Sequence, residues 1–585
     1  MKISNNLQYY KRGYSISKFQ KILFLLMMFF VASLFAADET TFVNRLENDV
    51  AVGKITRGQS IAYQLMAIRD PNALPQKYRT SAPDFTRSGT ALLIEARRVW
   101  PTLTTGEHKL LAPYFERPSK EKLPESEISP KGLFKIHYAA NGNDAADPSF
   151  VRQIAETFDH VYDVEINQLG YQPPPSDFGV DGPEYDVYVH NISDYGYTNY
   201  DQPVPGTPWQ DYTSFIEMDN DFTHTPTKGL DGMHVTAAHE FFHMIQIGYR
   251  SYQTPVLNSV FLYESCSVWM EDVVYNNVND YYNYLPYFFS HLSAPFNESS
   301  GTHMYGLSIF NHMLEQKYGR NVIRRIWEEF RDHETYQAID NALVAYGSNL
   351  SNELADFSIW NIFTGVHADT VNFYNEGKFY PDAKANKTSE FTNTLTLSGN
   401  CQPLATNYQK IMPTASGDFV VRPTFEEPFD WIYSIVIFPF EGTGEYTMSG
   451  GNSLKSLKNV RSLSEIWVMP TLSKWPQSDY GEKNKSFQFF VERGNAPQMD
   501  NKILSIVPNP YKPLYHSKVE IRFRLAKQSR DIKLNILTEQ GKSVKKIEIG
   551  KRPDGDNKAV GMAAMKAAIW LPQGFISFIW TMMEH

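Results

Sequence analysis

A chain of 585 residues exceeds what one hydrophobic core supports and predicts several domains. Its net charge of −10, with no basic stripe interleaved with aromatics, excludes a general nucleic-acid binder, and neither a Gly-rich phosphate loop nor a Cys-x-x-Cys pair occurs. Hydrophobic residues at 42% and aromatics at 14% predict that most of the chain folds.

At the N-terminus, Lys18 and Lys21 precede the apolar run Ile22–Val31, with Ala36 or Ala37 as the cleavage position. This pattern predicts a secretory signal over 1–37, and hence an exported protein with no stable membrane span after cleavage. An uncleaved anchor is the alternative, because Leu34 or Phe35 suits the cleavage site poorly. Residues 38–131 carry an amphipathic, Pro-punctuated pattern that predicts a helical region, either a removable pro-segment or a permanent lobe. The Lys- and Glu-rich stretch Ser119–Lys131 reads as the linker that closes it.

Residues 132–383 are expected to form an α+β catalytic domain. "LFKIHYA", "YDVYVHNI" and "YTSFIEMDNDF" read as strands and Asp147–Leu169 as a helix, while Asp219-Asn220-Asp221 reads as a turn rather than a calcium loop. An apolar helix follows, with His239-Glu240-Phe241-Phe242-His243 inside Val235–Tyr249. Histidines four residues apart on a helix lie roughly 40° apart around its axis, so both imidazoles reach one tetrahedral Zn²⁺. Glu240 then stands where a carboxylate can take a proton from a metal-bound water. The positions where a metzincin needs Gly and a third His hold Gln246 and Tyr249, which excludes that branch. The next helical pattern, Val260–Tyr275, supplies Glu264 as the third ligand, 21 positions after His243. His234 is rotated off the ligand face and reads as structural. Further helices are expected at Asp280–His291, Met304–Tyr318, Asn321–Phe330 and Leu350–Phe363.

From 384 to 497, short strands between Gly, Pro and Asn turns predict an all-β sandwich. Cys266 and Cys401 are the only cysteines, and in an oxidising exterior they could pair, tying the catalytic helix to this domain. Residues 498–585 form a last β segment.

Several ordered blocks carry a resemblance. "HEFFHMIQIGY", "LYESCSVWMED", "VNDYYNYLPYFFSH" and "MYGLSIFNHMLEQKYGRNVIRRIWE" resemble a family of secreted bacterial metalloproteases of myxobacterial type, itself similar to the gluzincin zinc peptidases. The resemblance spans roughly Phe42 to Asp382 and implies a zincin-like fold with a glutamate ligand from the second helix. It also implies a Tyr or His downstream as oxyanion donor, here Tyr305 or His303. Two departures stand out: Ser265 where gluzincins usually carry Gly, and Val268 where thermolysin-like enzymes carry the aspartate that orients the first histidine. Glu271, seven residues after Glu264 and on nearly the same face, is one candidate for that orienting role, and an ordinary surface glutamate is the other reading. The segment from Ile503 to Gly550, with its Pro508-Asn509-Pro510 turn, is similar to Ig-like sorting domains of type 9 secretion, a likeness that fades beyond Lys551. Together these imply a secreted zinc endopeptidase that acts on proteins or peptides and engages secretion machinery. The rival expectation is an exported surface or matrix-binding protein with a degenerate zinc site.

Overall fold

The computed structural model describes residues 42–79, 88–251, 259–439, 442–476, 483–494, 501–507, 518–537 and 543–562. The expected signal peptide, the Pro508-Asn509-Pro510 turn and the chain after 562 lie outside them. The chain divides into two compact units, residues 1–85 and 86–585.

In the first unit, helices α1 (Phe42–Ala51) and α2 (Arg57–Arg69) enclose a small core of Phe42, Leu46, Ile55, Ala67, Leu74 and Tyr78. Thr56 starts α2 through a reciprocal capping box with Gln59, satisfying two helix-end donors.

The second unit opens with α3 (Thr90–Val99) and α4 (Thr105–Leu111), the latter capped by Thr104 and Glu107. A five-stranded sheet follows, built from β1 (Glu125–Ile128), β2 (Phe134–Tyr138), β3 (Tyr185–Val189), β4 (Gly196–Pro203) and β5 (Tyr212–Met218), in the order β1-β2-β3-β5-β4. The β2–β3 and β3–β5 pairs are parallel, and the two edge strands are antiparallel to their neighbours. Helix α5 (Pro148–Tyr162), capped by Asp147, packs on β2. This arrangement changes the expected boundaries. The stretch 119–131 contains a sheet strand, β1, and its charged residues are those of a solvent-facing edge, which resists pairing with other chains. The boundary between compact units falls at 85/86, so α3 and α4 belong with the sheet.

Two long helices cross behind the sheet, α6 (Gly229–Tyr249) and α7 (Val260–Val274). Both are apolar nearly all round and buried along almost their whole length, since α6 packs on β4, β5, α5 and α7 at once. The expected helix at 280–291 is a short 3₁₀ turn followed by α8 (Leu285–Ser290). The one expected at 304–318 is broken into α9 (His303–Gly306) and α10 (Ser308–Tyr318). Helices α11 (Asn321–Phe330), α12 (Thr335–Val344) and α13 (Leu350–Trp360) complete the layer.

The β region begins with β6 (Lys387–Phe391), β7 (Thr394–Cys401), β8 (Ala405–Thr406), β9 (Gln409–Pro413), β10 (Gly417–Phe425), β11 (Trp431–Phe438) and β12 (Glu445–Gly450). It continues with β13 (Lys455–Val460), β14 (Glu465–Leu472) and β15 (Lys485–Arg493). One sheet runs β13-β10-β15-β7, and the other contains β12-β11-β14-β9-β6. Phe419, Val421, Phe487 and Phe489 from the first meet Ile411, Tyr433, Ile435 and Val468 from the second in one core, the hallmark of a sandwich.

The C-terminal strands β16 (Lys502–Val507), β17 (Lys518–Leu525) and β20 (Asp554–Met562) extend that second sheet, because β20 pairs in parallel with β12. Strands β18 (Ser529–Leu537) and β19 (Ser543–Arg552) pair with each other. The last segment is thus continuous with the sandwich at one edge rather than set apart from it. The expected disulfide is absent: Cys266 and Cys401 are both free and buried. Asn311 Nδ2 lies 3.6 Å from the Cys266 Sγ, while the Cys401 Sγ lies 3.7 Å from the carbonyl of Pro470. Burial pushes the Cys266 thiol up to about 12.

Candidate metal centre

Helix α6 projects His239 and His243 from one face, and α7 lies against it so that Glu264 faces both. His239 Nε2 is 3.0 Å from His243 Nε2 and 3.2 Å from Glu264 Oε2, and His243 Nε2 is 3.5 Å from Glu264 Oε1. These three residues form one of the groups among the described residues whose ligand atoms lie close enough to share an ion. Ligands about 2.0–2.1 Å from a tetrahedral zinc stand about 3.3 Å apart, the spacing seen here.

The surrounding hydrogen bonds fix the ring protons. His239 Nδ1 lies 2.6 Å from Glu271 Oε1, an acceptor, and His243 Nδ1 lies 2.7 Å from Gln246 Oε1, whose Nε2 donates to the carbonyl of Tyr263 at 3.0 Å. Both Nδ1 atoms therefore carry hydrogen, which leaves both Nε2 lone pairs aimed at each other and at a carboxylate. Glu264 Oε1 is buried and has no hydrogen-bond partner among the described residues. Converging acceptors in a buried space repel unless a cation joins them, so this donor set fits a metal ion. Burial alone would raise the Glu264 carboxyl; when the rings of His243 and His239 are charged, a proton taking the place of a cation, they outweigh burial and hold it down at about 2. The converse holds at His243, where burial lowers the imidazole and Glu264 raises it to a net upward shift.

Glu240 follows His239 on α6 and sits beside β4. Thr90 Oγ1 donates to its Oε2 at 3.0 Å, and the Thr198 hydroxyl lies 2.8 Å from both that oxygen and the Glu240 carbonyl. Strand β4 approaches α6 this closely because Gly196 has no side chain: a Cβ there would lie 3.0 Å from Thr236 Cγ2 and 3.4 Å from Glu240 Cγ. His239, Glu240, His243 and Glu264 are each 0% exposed.

The remaining expected site residues are placed as follows. Glu271 is buried rather than at the surface, with its Oε1 against His239 Nδ1. Val268 is buried in α7, one helical turn before Glu271, and Ser265 Oγ lies 3.5 Å from the Leu262 carbonyl. Tyr305 is buried with its ring 5.3 Å from Tyr284, on α9, which packs against α7. His303 instead lines a cavity with Phe288, Leu292, Phe296 and Leu307, and burial pushes its imidazole down to about 4. His234 stacks on Tyr275 at 4.6 Å, away from the cluster, as its helical angle implies. Thr90, Thr198 and Gln246 are contacts that sequence reasoning missed. Only Gln246 left a signal, three residues after His243 and on its face.

Two other groups could hold an ion by distance. His137, Asp181 and Asp186 already face Arg117, Lys120 and Lys135, whose charges occupy the place of a metal. Asp219 accepts the backbone N–H groups of Ile192, Asp221 and Phe222, so in the group it forms with Asp221 and His224 it acts as a turn staple.

A family profile, described as a family of unknown function (DUF6055), matches residues 143–364. That span holds His239, Glu240, His243, Glu264 and Glu271 and leaves out Thr90. No curated protein matches the chain. Among solved structures, the pre-peptidase C-terminal domain of a Bacillus anthracis collagenase is 9% identical, with a TM-score of 0.14 over 19% of this chain and 100% of that one. The Aeromonas hydrophila periplasmic inhibitor of g-type lysozyme is 10% identical, with a TM-score of 0.13 over 18% and 96%. A GH2 β-galacturonidase from Eisenbergiella tayi is 10% identical, at 0.09 over 29% of each. Scores this low assign neither fold nor activity.

Proposed function

We propose that this protein is an exported zinc-dependent endopeptidase with a zincin-like, gluzincin-type centre. The observation that carries the reading is the convergence of His239, His243 and Glu264 lone pairs beside a carboxylate, Glu240, that follows His239 on α6 and is not itself in the group. These three side chains would hold Zn²⁺, which when bound makes a water acidic enough to deprotonate near neutrality and polarises a carbonyl.

The chain's own residues do the rest. Glu240 accepts the proton of the attacking water and returns it to the leaving amine. Thr198 holds its Oε2, so its carboxylate keeps one orientation. Glu271 and Gln246 keep the two imidazoles in the tautomer that frees Nε2. Of the two oxyanion-donor candidates, both on α9, Tyr305 is preferred, because the His303 side chain lines a separate cavity with Phe288 and Phe296. The signal-like N-terminus supports export, and the resemblance of the last segment to sorting domains supports a role for it in delivery.

Zinc content and casein hydrolysis, measured together on the purified protein, test this. One zinc per chain, with hydrolysis abolished by chelation and by Glu240→Gln, is the expected result. Zinc uptake without hydrolysis of any protein substrate would instead favour the exported binding protein with an idle metal site.

A further inference from the structure

A hydrolytic centre must admit its substrate, yet all four central residues here are 0% exposed. The segment that closes one side comes from upstream. Strand β4 is the edge of the five-stranded sheet, and the backbone of Gly196 and Thr198 on its outer side is what an incoming extended peptide would pair with. One outward group of each is taken. The N–H of Gly89 donates to the Gly196 carbonyl at 3.3 Å, and the N–H of Thr198 donates to Thr90 Oγ1 at 2.7 Å. The same Thr90 hydroxyl donates onward to Glu240. Gly89 is pressed so close to β4 that a Cβ on it would meet the Tyr197 Cβ at 3.1 Å.

We infer that Ser88–Thr90 is an inhibitory segment: it fills the edge of β4 that an extended substrate needs and hydrogen-bonds the proposed general base, so the chain folds into a latent form. This rests on the peptidase reading above. The segment lies at the very start of the second compact unit, just beyond the 85/86 boundary. Its hold on Glu240 is a single hydroxyl, a contact that can be withdrawn without disturbing His239, His243 or Glu264.

Two variants of the full-length, zinc-loaded chain test the inference, with a fluorescent peptide hydroxamate as probe and the rate of zinc extraction by phenanthroline as a second readout. Gly89→Cys with Tyr197→Cys places two Cβ atoms near disulfide range. When oxidised, this lock is expected to cut probe affinity and zinc extraction at least ten-fold, and reduction by a phosphine is expected to restore both. Thr90→Ala removes two hydrogen bonds and is expected to raise probe affinity and zinc extraction roughly ten-fold. Zinc uptake with probe binding indifferent to the lock would overturn this inference alone. So would a Thr90→Ala variant that loses turnover at unchanged probe affinity, since Thr90 would then support Glu240 rather than block it. A protein that takes up no zinc in any form would overturn the peptidase reading and this inference together.

Discussion

Replacing Glu240 by Gln keeps nearly the same shape and removes one proton acceptor. Zinc should therefore stay bound while turnover falls by about 10²-fold or more. Glu264→Ala differs, because it removes a charged group from between two buried Nε2 lone pairs. It should lose zinc, as read by metal analysis after dialysis, and full retention would mean that another residue is the third ligand. Glu271→Gln probes the outer contact. An amide oriented to accept from His239 Nδ1 keeps the hydrogen bond but drops its charge, so zinc affinity should fall about 10- to 100-fold with the fold intact. Unchanged affinity would reduce Glu271 to packing. Tyr305→Phe should lower turnover by about 10²–10³-fold at unchanged zinc content if its hydroxyl is the oxyanion donor.

Elements differ in how plainly the chain announces them. Helix α6 and its candidate ligands were legible because two histidines, a glutamate and an apolar run obey one helical period, and Glu264 and Glu271 obey it again on α7. Strand β4 was not read. "GYTNYDQP" mixes β-favouring Tyr and Thr with Gly, Asn, Asp and Pro, a composition that reads as a turn, and its burial comes from α6 and α3 packing on it. Strand β1 was hidden by charge, because an edge strand looks like a linker. Thr90 could not be found at all: a lone Thr 150 positions from Glu240 leaves no local pattern. The same limit applied to the C-terminal strands, whose turn chemistry suggested a separate domain while the β20–β12 pairing is a long-range contact. That pairing, with Asn352 Nδ2 donating to the Lys551 carbonyl at 2.6 Å, changes what a truncation should do. Removing 501–585 exposes an edge of the sandwich, so the melting temperature should fall measurably even where peptidase activity per folded molecule persists.

At the scale of the whole molecule, stability should carry the mark of a second buried polar group on α7. Asp272 is buried with its Oδ1 lacking a hydrogen-bond partner, and burial, with Glu376 and Glu315 nearby, pushes its carboxyl up to about 8. His312 packs 4.9 Å from the Tyr281 ring, with its Nε2 likewise unpartnered, and burial pushes its imidazole down to about 4. The signs are opposite. An Asp held neutral in the fold but ionised in the unfolded chain above about 3.9 costs stability as pH rises, by at most about 1.4 kcal/mol per unit, until the folded group ionises near 8. A His held neutral in the fold but protonated in the unfolded chain costs stability as pH falls from about 6.5, until the folded group protonates near 4. Thermal melts of chelator-treated protein from pH 4 to pH 8 resolve the two. Asp272→Asn should match the parent near pH 4, apart from a constant offset, and gain on it steadily toward pH 8. His312→Gln should track the parent above pH 6.5 and gain on it toward pH 4. Parallel melting curves for parent and Asp272→Asn across that range would show that the carboxyl reaches water and ionises normally.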